Sequence, residues 1–100
     1  MSAWKINTLM NQHFPESDFS KLALVNIEGK PEVLEAILKL SINSEELLIS
    51  VNRKVGARLS LKDAVNFIQF SMGKAEMRVS NREFTQFVIA APNCTAVGLN

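Results

Sequence analysis

Lys30-Pro31-Glu32-Val33-Leu34-Glu35-Ala36-Ile37-Leu38-Lys39-Leu40-Ser41-Ile42 can be read at two periods, and the choice sets the order of elements in the chain. At period two, Leu34, Ala36, Leu38, Leu40 and Ile42 fall on one side, with Glu35, Ile37, Lys39 and Ser41 between them. At period 3.6, Pro31 takes the first helical position and Val33, Leu34, Ile37 and Leu38 form the apolar stripe. The alternation runs unbroken to Ile42, so a strand is the preferred reading. Asn43-Ser44-Glu45-Glu46 then supplies a hairpin loop.

Beyond that loop, Leu47, Ile49, Val51 and Val55 point one way and Ser50, Asn52 and Lys54 the other, with Arg53 an exception on the apolar side. This predicts a strand of about nine residues. Upstream, Leu22 to Glu28 reads as another strand, joined by Gly29-Lys30-Pro31. A helix is predicted over Leu61 to Met72: Ser60 is an N-cap residue, Asp63 holds the capping-box position and Gly73 suits the exit. Its stripe is Leu61, Ala64, Val65, Ile68 and Met72, with Phe67 and Phe70 beside or off it. A first helix is expected where Ala3, Ile6, Met10 and His13 share a face before Pro15, with Trp4 and Phe14 anchoring its ends to the sheet. Ala75 to Val79 and Phe84 to Ala90, around Ser80-Asn81-Arg82, read as a closing hairpin.

The expected fold is thus α+β, a two-layer sandwich of five antiparallel strands and two helices in the order α-β-β-β-α-β-β. A single domain spans residues 1–90, and residues 91–100, with Pro92, Asn93 and Gly98, form a flexible tail. The strands are apolar on both faces: Leu22 and Leu24 lie opposite Ala23, Val25 and Ile27, Val33 and Ile37 lie opposite the Leu38 set, and Leu48, Phe84 and Val88 add to the same count. A one-sided sheet should alternate more cleanly, so the tail or another protein surface must cover the second face.

The element order is similar to that of the small secretion chaperones of type III systems, over about residues 3–90. The resemblance is one of topology. It implies a homodimer that binds extended effector segments. Those chaperones usually add a further helix and are acidic, whereas this chain carries a net charge of +1. No site residues are carried over.

The chain has 100 residues, one histidine (His13), one cysteine (Cys94), no tyrosine and two aspartates, Asp18 and Asp63. Most catalytic sites need several reactive groups at one point, and this inventory is too thin for that. His13 suits the negative end of a helix, and Cys94 is a lone thiol outside any CxxC. The glycines match no phosphate-binding or nucleophile-elbow pattern, and Glu45-Glu46 falls in a predicted turn. No catalytic residue, metal or cofactor is expected. With 47% hydrophobic and 21% charged residues, the chain belongs with folded globular proteins. The start, Met1-Ser2-Ala3-Trp4-Lys5, lacks the apolar run of a signal peptide, and no membrane span is evident. A cytoplasmic protein is the reading.

Charge is unevenly placed. Residues 1–50 carry four lysines against seven carboxylates, and residues 51–100 carry seven cations against three. The one local run is Arg53, Lys54 and Arg58, extended by Lys62. These observations point to a non-enzymatic protein-binding module of the inhibitor, immunity-protein or secretion-chaperone type. Its expected contacts are Arg53, Lys54, Arg58 and Lys62 in a basic patch and Phe84 and Val88 on the sheet face. Its partner is another protein with an acidic surface, or a second copy in a homodimer. The alternative is a small nucleic-acid-binding protein using the basic 53–62 segment, although no aromatic residue is interleaved with those cations.

Overall fold

A computed structural model describes residues 2–15 and 24–99. The chain runs α1 (Ala3–His13), β1 (Val25–Asn26), α2 (Pro31–Ser41), β2 (Glu46–Ser50), β3 (Gly56–Ser60), α3 (Leu61–Ser71), β4 (Met77–Ser80), β5 (Phe87–Ala91) and β6 (Thr95–Gly98). The strands form one open antiparallel sheet in the order β1-β6-β5-β4-β2-β3. The class is α+β as expected. The described residues form three helices and six strands rather than two and five, and the order differs. The likeness to secretion chaperones rested on that order and lapses with it.

Residues 31–41 are helical, and the reason lies in which apolar positions find cover. Leu34 and Leu38 serve both templates and are fully buried. Of the remainder, the helix needs Val33 and Ile37, which pack against the core, while the strand needs Ala36 and Leu40, which are exposed. Leu40 is 88% accessible. Pro31 starts the helix where no N–H is required, and Glu35 pairs with Lys39 one turn later at 3.2 Å.

The nine-residue strand is two strands and a turn. Asn52 Oδ1 accepts from the backbone N–H groups of Lys54 (2.8 Å) and Val55 (2.9 Å), folding the chain back so that β3 pairs with β2. Arg53, out of phase with the apolar side, sits at that turn. The strand expected over Leu22 to Glu28 is confined to Val25–Asn26, and its first two residues lie outside the described residues.

The tail also holds a strand, β6, over Thr95–Gly98. β6 lies between β5 and β1, with Ala96 fully buried. Its small residues are a packing requirement: a Cβ on Gly98 would collide with the Ser41 side chain at the end of α2. Close helix–strand approach removed the large apolar residues by which a strand is recognised.

The sheet is covered on both faces by this chain. α2 and α3 bury Leu47, Ile49, Val79, Val88 and Ala90 with Leu34, Leu38, Ala64 and Ile68. On the opposite face α1 places Ile6 and Met10 against Leu48, Phe84 and Phe87. The two-sided apolar strands thus have cover of their own, and α1 supplies a third layer. Asn7 Nδ2 donates to the buried Ser50 Oγ at 3.0 Å, fixing α1 on β2. Phe14 anchors the far end edge-on to Phe87, with centroids 5.2 Å apart. Trp4, expected as the other anchor, is exposed.

Candidate protein-binding surface

The basic segment is not one patch. Arg53 and Lys54 occupy the β2–β3 turn and Lys62 the first turn of α3, at opposite ends of β3. At the usual rise those ends are about 15 Å apart. Arg58 stands between them, its Nε 3.3 Å from Glu46 on β2. Phe84 is buried in the α1 cluster beside the His13 ring, and Val88 is fully buried under α2 and α3. Neither presents a side chain to the surface of this chain. The charge split between halves is likewise dispersed, because β1 sits beside β6 and β2 between β4 and β3.

The fold gathers a different set. Gly56, the first residue of β3, backs onto α1: a Cβ there would meet the Ile49 carbonyl at 2.9 Å and Ala3 at 3.5 Å. This close approach sets the start of α1, with Trp4 and Lys5, beside the β2–β3 turn. Trp4 is 54% accessible and Val55 is 42% accessible. Arg53, Lys54 and Lys5 are exposed, and among the described residues none pairs with a carboxylate. Asn52, Arg53, Lys54 and Val55 line an open hollow of about 370 Å³. An aromatic ring, an apolar side chain and unpaired cations therefore share one end of the molecule. Trp4 was missed as a site residue because it lies far from the cations in sequence.

A larger hollow of about 570 Å³ lies among Lys39, Ile42, Asn43, Ser44, Glu45 and Leu61. Its polar groups are largely engaged within the fold: Lys39 with Glu35, the Asn43 N–H with Gln86 Oε1, and Ser44 Oγ with the Glu46 carbonyl. It offers little to a ligand.

His13 is exposed, its ring 5.8 Å from that of Phe84, and the half-buried Cys94 lies in the β5–β6 turn. Among the described residues no three His, Cys, Asp or Glu side chains gather as a metal site would need, and no helix is long and apolar enough to cross a membrane. Comparison with protein-family models, curated proteins and solved structures finds no match for this chain.

Proposed function

We propose that the chain is a non-enzymatic protein-binding module of the inhibitor, immunity-protein or chaperone type, acting through the β2–β3 turn and the start of α1. The observation that carries this reading is the approach of Ala3 to Gly56, which sets the start of α1, with its exposed Trp4, at the same end as the exposed Val55, Arg53 and Lys54. Those cations pair with no carboxylate among the described residues. Tryptophan and arginine are over-represented among residues that dominate binding energy, and Trp4 is 54% accessible with exposed cations at the same end of the molecule. The cations select an acidic partner and speed encounter with it.

The same cluster gives the second reading its support. An indole face beside unpaired cations is what a single-strand binder uses, the ring stacking on a base and the cations tracking phosphates. The net charge of +1 is low for such a role.

Affinity capture from nuclease-treated lysate separates the two. The tagged wild-type chain should retain one stoichiometric protein, and the double variant Arg53→Glu, Lys54→Glu should lose it with unchanged circular dichroism. Bound material that vanishes with nuclease would move the assignment to nucleic acid. A protein held equally by both forms would remove this surface.

A further inference from the structure

We infer that the outer edge of β3 is a docking edge for an extended acidic segment of another protein, which adds to the sheet as a further strand. This rests on the protein-binding reading and names the partner's chemistry. Among the described residues, β3 is the last strand of the sheet and pairs only with β2. The Val51 N–H donates to the Val55 carbonyl at 3.0 Å, which marks these two as a hydrogen-bonded pair. Antiparallel alternation then makes Ile49–Ala57 and Leu47–Leu59 the next bonded pairs and turns the N–H and C=O of Gly56 and Arg58 outward. Among the described residues, no main-chain group meets them there. A strand edge of this kind is a template for another chain.

The side chains along the edge specify what fits. Arg58 projects on the α1 face beside its partner Glu46, Arg53 and Lys54 stand at one end of the edge and Lys62, on α3, at the other. Cations thus outnumber carboxylates along the edge and call for an acidic segment. On the opposite face Ala57 and Leu59 are only half covered and call for apolar side chains. The complementary segment alternates acidic and apolar residues. Antiparallel self-pairing centred on Arg58 is disfavoured, because it would set Arg58 against Arg58 and Lys62 against the Lys54 end. Like charges directly opposite are destabilising.

The test is amide hydrogen exchange on the intact labelled protein with a synthetic peptide of about seven residues that alternates Glu and Val. The expected result is exchange slowed at least about tenfold at the Gly56 and Arg58 amides, with no slowing by the Gln-for-Glu peptide. Arg58→Ala should weaken the peptide by about tenfold without altering the folded spectrum. Unchanged exchange at Gly56 and Arg58 overturns the inference, whether or not the peptide binds elsewhere. Equal protection by the Gln peptide overturns the acidic assignment. Shifts confined to Trp4, Arg53 and Lys54 would sink the edge and leave the protein-binding reading standing, whereas the capture experiment judges that reading independently.

Discussion

Gly98 and Cys94 show how single positions are constrained by backbone rather than chemistry. A side chain on Gly98 has no room beneath Ser41, so Gly98→Ala should cost about 1–3 kcal/mol in urea unfolding. The penalty should shrink when Ser41→Gly is made as well, and strict additivity of the two would argue against the collision. Cys94 adopts a left-handed conformation, φ 65°, in the loop between β5 and β6, with its N–H donating to the Ala91 carbonyl at 3.1 Å. That is the geometry of a three-residue hairpin loop in which glycine is usual. Cys94→Val should therefore lose about 1–2 kcal/mol and Cys94→Gly should not, as read from denaturation midpoints. The thiol at this position needs no reactive role to explain its setting.

At the scale of elements, α2 offers the sharpest contrast between two readings of one segment. Leu40→Lys should change stability by less than about 0.5 kcal/mol, because Leu40 faces water. Leu38→Ala should cost about 2–5 kcal/mol. A strand would have demanded similar penalties at both. The β4–β5 hairpin is held by Asn81, whose Oδ1 accepts from the N–H groups of Thr85 (2.9 Å) and Gln86 (3.2 Å) while its Nδ2 donates to Thr85 Oγ1 at 2.8 Å. Asn81→Ala should cost about 1–3 kcal/mol by leaving those donors unpaired. Elements with local punctuation were legible in sequence: α1, α3 with its Ser60 cap, and the closing hairpin. The rest depended on tertiary contact. Whether Leu40 or Ile37 is covered, and whether Ala96 and Gly98 lie beneath a helix, is decided by neighbours distant along the chain. The Asn52 turn was visible in principle, as an asparagine followed by an out-of-phase arginine and a nearby glycine.

For the whole molecule, the main consequence of the topology is that both sheet faces are served from within, which moves the search for a partner to the sheet's edge and one end. Gly56 against Ala3 is the contact that assembles this region from two parts of the sequence. The cations were legible as a run; their distribution along β3, and the company of Trp4, were not. Because self-pairing at β3 centred on Arg58 opposes like charges, which are least screened at low salt, light scattering should report the 11.1 kDa chain under that condition. A dimer disrupted by Arg58→Glu would contradict that. Trp4 is the single tryptophan, so its emission reports this surface without a label. The most direct measurement is tryptophan fluorescence on adding the captured protein partner, itself free of tryptophan or labelled with a non-emitting analogue. The account predicts a blue shift and protection from an aqueous quencher as the indole leaves water. Stoichiometric binding with an unshifted, fully quenchable Trp4 would contradict it.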